Sequence, residues 1–137
     1  MIRVVIDTNV LISGLFWKGS PRRVIDLAAD HTIEAFIGIS IIKELHDVLK
    51  EDFCVPAEKL TDILKDVVTF CRIIPAKELP IAGLRDPNDA HVLSCAVAGK
   101  VQFIITGDKD LLTLKTYKRI AIVTPSEFLK ITGLNPA

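Results

Sequence analysis

Acidic residues recur where apolar runs give way to polar ones. Asp7 follows IRVVI (2–6), Glu44 closes S-I-I-K-E (40–44), Asp86 and Asp89 flank DPNDA (86–90), and Asp108 and Asp110 lie in TGDKDLL (106–112). No cysteine or histidine cluster accompanies them, so an ion held by this set is a hard one such as Mg²⁺ or Mn²⁺. One or two such ions would polarise a phosphodiester, lower the pKa of an attacking water and steady the leaving oxygen. Acids gathered at one crevice repel one another unless a cation is present.

A plainer reading stands beside this for each acid taken singly. Asp before T-N-V-L, in D-P-N-D and before K-D-L-L is good helix-start chemistry, with Pro87 suited to a first helical position. Glu44 resists that explanation. If Ser40 caps the helix, a capping box would need its acid at position 43, which is lysine. Glu44 instead lies three residues after Ile41 and four before Val48, on the flank of the apolar stripe, where a carboxylate needs a partner.

The elements that must position these acids alternate in period. Short β-branched or apolar runs at 2–6, 33–39, 71–75, 101–106 and 119–124 read as strands. Helices are expected at 8–16, at 21–29 (capped by Ser20, with Pro21 first), at 41–51, at 56–70, from 87 to about Gly99 and over PSEFLKIT, with a short helical turn in GDKDLLTL. Residues 75–85, punctuated by Pro75, Pro80 and Gly83, read as a loop. Unalternated strands separated by helices predict an α/β fold, a three-layer α/β/α domain with a mostly parallel sheet. In such sheets ligands bind outside the carboxyl ends of the strands, where Asp7 and Asp108 fall.

The chain has 137 residues, half of them hydrophobic, with 17 Lys+Arg balancing 17 Asp+Glu. That predicts one domain over 1–137 with a full core, and it argues against nucleic-acid binding by bulk positive charge alone. Cys54, Cys71 and Cys95 have no C-x-x-C spacing and read as reduced thiols of a cytoplasmic protein. No leader and no run long enough to span a membrane is seen. The P-loop, dinucleotide and α/β-hydrolase signatures are missing. A phosphoaspartyl phosphatase would want a second Asp at position 9, which is asparagine.

DTNVL (7–11), S-x-x-x-E (40–44), DPNDA (86–90) and TGDKDLL (106–112) resemble, in order and spacing, the motifs of the PIN domain. LFWKGSPRRVIDLA and TPSEFL resemble the branch of small prokaryotic PIN toxins of toxin–antitoxin pairs. The resemblance covers nearly the whole chain. It implies a metal-dependent ribonuclease with catalytic and metal-binding acids Asp7, Glu44, Asp89 and Asp108, Asp7 and Asp89 being direct ligands. Asp86 either joins them as a fifth or caps the helix that follows. Thr8, Asn9, Ser40 and Thr106 would orient the carboxylates or their waters.

A homodimer and a small antitoxin that occludes the cleft are the expected partners, besides RNA. The alternative is a non-catalytic module that binds RNA or protein through a vestigial metal site. Asp110 is expected to face solvent, and His91 to be a core or rim residue. Lys18, Arg22 and Arg23, and Lys115, Lys118 and Arg119, read as solvated faces. Phe16 and Trp17 are open between stacking on a base, filling a dimer or antitoxin groove, and packing in the core.

Overall fold

The computed structural model describes residues 1–75 and 87–134. The loop expected at 75–85 therefore lies, beyond Pro75, outside the described residues, as does Asp86. The elements in chain order are β1 (Ile2–Ile6), α1 (Thr8–Phe16), α2 (Ser20–Ala29), β2 (Ile33–Gly38), α3 (Ile39–Glu51), α4 (Ala57–Phe70), β3 (Cys71–Ile74), α5 (Pro87–Gly99), β4 (Phe103–Ile105), α6 (Lys109–Leu114), β5 (Thr116–Tyr117), β6 (Ile120–Val123) and α7 (Pro125–Thr132).

The six strands form one sheet in the order β3-β2-β1-β4-β6-β5. Every pairing is parallel except β5 with β6. Successive residues of a strand point to opposite faces. Val4, Val5 and Ile6 in β1, and Ile104 and Ile105 in β4, are all fully buried. Both faces of the central strands are thus covered, as the α/β expectation required. The helices supply the cover with apolar stripes: Ile41, Leu45 and Leu49 of α3 recur every four residues and are buried, and α5 packs across β1 to β4.

Three details depart from expectation. Helix α3 begins at Ile39, with Gly38 at its N-cap, so Ser40 is an exposed residue of the first turn and caps nothing. Strand β2 ends at Gly38 and the chain turns into the helix at once, leaving no linker for Ser40 to cap. Helix α2 likewise starts at Ser20 behind Gly19, whose φ of 134° is open to glycine and closed to most side chains. The antiparallel β5 is a strand that no local sequence pattern announces. It is two residues long and joins β6 through Lys118 and Arg119, both at positive φ, where Asn or Gly is the usual signal of such a hairpin.

The order of strands places a topological switch at the centre. The chain leaves β1 toward β2 and β3 on one side, then returns to β4 on the other. A crevice opens outside the carboxyl ends of β1 and β4 at such a point.

Candidate active site

Asp7 is the first residue after β1. Its backbone N–H donates to Ile105 O at 3.0 Å, and its own carbonyl accepts from Val10 and Leu11 as α1 begins. The side chain is buried and caps that helix: Oδ1 accepts from the Thr8 N–H at 2.8 Å. Its other oxygen, Oδ2, accepts from Thr106 Oγ1 at 2.7 Å. Capping and site membership are therefore not rivals here. One carboxylate oxygen holds the helix start and the other faces the next strand.

Thr106, fully buried at the end of β4, carries the link across the switch point. Its hydroxyl donates to Asp7 and accepts from the Asp108 N–H at 3.0 Å, while its backbone N–H donates to Val123 O. Asp108 then caps α6, its Oδ1 accepting from the Asp110 N–H at 2.9 Å. Asn9 Oδ1 accepts from the Gly107 N–H at 3.4 Å, tying α1 to the same turn. From α3, Glu44 arrives half-buried, with Oε2 accepting from Thr8 Oγ1 at 3.3 Å. This is a partner of the kind its flank position called for.

Asp89, in the first turn of α5, is buried. Carboxylate oxygens of Asp89, Asp108 and Asp110 all lie within 4.8 Å of one another. Two unit charges at that separation repel by roughly 3 kcal/mol at an effective dielectric of 20, an amount that water reduces at the exposed Asp110. The donor set is carboxylate oxygen throughout, which fits a hard divalent cation and does not suit zinc. Asp110 is an acid that the sequence reading leaves outside the site. It is exposed as expected, yet its carboxylate turns toward Asp89 and Asp108. The D-K-D spacing was the available signal: an acid two residues past an Asp cap shares the helix's first turn with it.

Asp7, Thr8, Asn9, Ile12, Glu44, Val48, Asp89 and Asp108 line one cleft of about 270 Å³. The structure thus brings together Asp7, Glu44, Asp89 and Asp108, with Thr8 and Asn9 among them and Thr106 beneath. Ser40 stands apart from this cleft, in an adjoining recess with Lys43, Glu44, Asp47 and His91. His91 is half-buried at that rim, as anticipated. A larger hollow, about 760 Å³, runs along β2 and β3. Its charged side chains include the Arg72–Glu34 pair at 2.9 Å, and it offers no comparable carboxylate group.

Residues 3–110 match the PIN domain family, a span that runs from β1 to Asp110 and so takes in every acid of the cleft. The chain belongs to the PIN domain family. PIN domains are generally nucleases, and PIN nucleases act on RNA. An uncharacterized protein of Methanocaldococcus jannaschii, MJ1680, is 31% identical to this PIN chain over 141 residues, spanning 94% of this chain and 90% of the relative. The crystal structure of PAE2754 from Pyrobaculum aerophilum has the same fold, with a TM-score of 0.61 over 96% of this chain and 90% of that one, at 18% identity. Among the described residues of this PIN domain no helix is long and apolar enough to cross a membrane.

Proposed function

We propose that residues 1–137 act as a single PIN domain that hydrolyses RNA phosphodiester bonds with Mg²⁺ or Mn²⁺. Asp7, Glu44, Asp89 and Asp108 are the catalytic and metal-holding acids of this reading, joined by Asp110. The observation that carries it is the all-carboxylate cleft at the switch point of the sheet. A bound cation of this type supplies Lewis acidity toward a phosphoryl oxygen and eases the ionisation of water. The chain's own residues supply the rest. Thr106 and the Thr8 N–H aim the two oxygens of Asp7. Thr8 holds Glu44. Ile12 and Val48 form the apolar wall that limits water on one side. Water adds to phosphorus, the ester P–O bond breaks, and the departing oxygen leaves as a hydroxyl.

The finer reading is that of a toxin in a toxin–antitoxin pair, a homodimer in the cytoplasm whose cleft a small antitoxin occludes. It is supported by the LFWKGSPRRVIDLA and TPSEFL segments. A strict monomer by light scattering would defeat the dimer.

The deciding experiment is cleavage of a mixed pool of structured and single-stranded RNA with Mg²⁺, with Mn²⁺ and with EDTA. The Asp7→Asn/Asp89→Asn double variant is run alongside. Metal-dependent cutting that falls by at least about 100-fold in the variant supports the nuclease. Silence of folded wild type in both metals and across the pool would turn the reading toward a non-catalytic module.

A further inference from the structure

Phe16, Trp17 and Phe53 form an aromatic cluster on the surface. Their ring centroids lie 5.4 to 6.4 Å apart, with Phe16 and Phe53 stacked at an interplanar angle of 5°. All three are exposed, Phe16 by 38%, Trp17 by 57% and Phe53 by 41%, which removes core packing from the alternatives for Phe16 and Trp17. Two separate elements build the cluster: Phe16 and Trp17 end α1, and Phe53 follows α3.

The position of the cluster relative to the acids follows from helical spacing. Thr8, Ile12 and Phe16 stand at i, i+4 and i+8 on α1 and so share one face. Glu44 and Val48 share a face of α3, which packs beside α1. The cleft is bounded by Thr8, Glu44, Ile12 and Val48, and one further turn of α1, from Ile12 to Phe16, leads from it to the rings. Eight residues at 1.5 Å place Phe16 about 12 Å along α1 from Thr8. That is the span of about three or four nucleotides stacked as in a duplex strand, and of fewer when stretched.

We propose that this cluster is a stacking subsite for an unpaired base of the RNA substrate, about two to four nucleotides from the scissile phosphate. The distance to that phosphate rests on the nuclease reading given above. Stacking suits the surroundings better than charge does. Lys18 and Lys50 lie near the ring residues in the sequence, but so do Glu51 and Asp52, and ring faces accept any base without a positive field. Phe53 stacks on Phe16, and Trp17, the most exposed of the three, is the open platform. A second copy of the chain is a poorer occupant. At ~150–250 Å² per aromatic side chain, the exposed parts of the three rings total roughly 300 Å². A stable dimer buries about 800 Å² per partner.

Trp17 is the sole tryptophan, so its fluorescence reports on the subsite directly. The wild-type protein in EDTA, where nothing is cut, is titrated with a single-stranded oligoribonucleotide and with a blunt RNA duplex of equal length. The single strand is expected to quench Trp17 and the duplex to leave it unchanged. Phe53→Ala, read by Trp17, and Trp17→Ala, read by anisotropy of labelled RNA, should each weaken single-strand binding by about 5- to 100-fold. Trp17→Phe should restore most of it. Absence of quenching by the single strand, equal quenching by the duplex, or a dimer that Trp17→Ala converts to monomer would each overturn the proposal. The two readings fail separately. Quenching without metal-dependent cleavage retains the subsite and removes the nuclease, and cleavage without quenching does the reverse.

Discussion

Thr106 contributes no charge to the cleft, yet it decides where two of the charges sit. Its hydroxyl is shared between the buried Asp7 Oδ2 and the half-buried Asp108 N–H. Replacing it by valine keeps the volume and removes both hydrogen bonds, at a cost of ~1–3 kcal/mol for the buried one and less for the part-buried one. Thr106→Val is expected to lower metal-dependent cleavage about 10- to 100-fold, and Thr106→Ser to recover it. Failure of serine to rescue would make the role one of packing alone. Asp110 gives a second test at this scale. If it holds the cation with Asp89 and Asp108, Mn²⁺ should raise the melting temperature of the wild type and raise that of Asp110→Asn distinctly less. Equal shifts in a thermal scan would remove Asp110 from the site.

Helices α1 and α2 meet so closely that one hydrogen atom separates a good packing from a clash. A Cβ placed on Gly14 would stand 2.8 Å from Pro21 O and would also collide with Ile25 Cδ1. The isoleucine tip can turn away, but the proline carbonyl is backbone and cannot. Alanine is worth about 1 kcal/mol over glycine inside a helix, and forced overpacking costs ~1–3 kcal/mol. Because the obstacle is backbone, the second effect wins. Gly14→Ala should destabilise the fold by up to about 2 kcal/mol in urea unfolding, and a gain in stability would show that α2 can shift. Since α1 carries Asp7 at one end and Phe16 at the other, such a shift would register in the cleft as well.

Taken whole, the molecule buries two thiols that have no part in the cleft. Burial pushes Cys71 up to about 12, with the neighbouring Cys95 adding to it, and burial alone pushes Cys95 to about 12. In the unfolded chain both ionise near 9. Between these values the unfolded state has released protons that the native state still holds, so stability is complete below pH 9 and falls as pH rises toward 12. The loss is about 1.4 kcal/mol per thiol for each pH unit in that window. Urea unfolding at pH 8 and pH 10 should show wild type losing about 2–3 kcal/mol more than Cys71→Ala/Cys95→Ala. Equal losses would mean the thiols are not protected.

Much of this was written in local patterns. Runs such as IRVVI and the four-residue recurrence of Ile41, Leu45 and Leu49 determine strands and helices by themselves, because burial on a sheet or a helix face needs those periods. The acids that end such runs were legible for the same reason: strand ends in an α/β sheet are where ligands go. What the sequence left open was decided across the chain. Asp7 meets Thr106 over 99 positions and Thr8 meets Glu44 over 36, and no local pattern encodes such pairings. Ser40 is not the cap expected of it because the end of β2 left it no linker, and Asp110 lies close to Asp89 because α5 came to lie beside its helix. The gathering of Phe53 with Phe16 and Trp17 depended likewise on α1 and α3 lying side by side. Residue types and periods state what each segment can do; only the packing of the sheet brings the carboxylates of separate segments close enough to repel one another and so to be able to hold a cation.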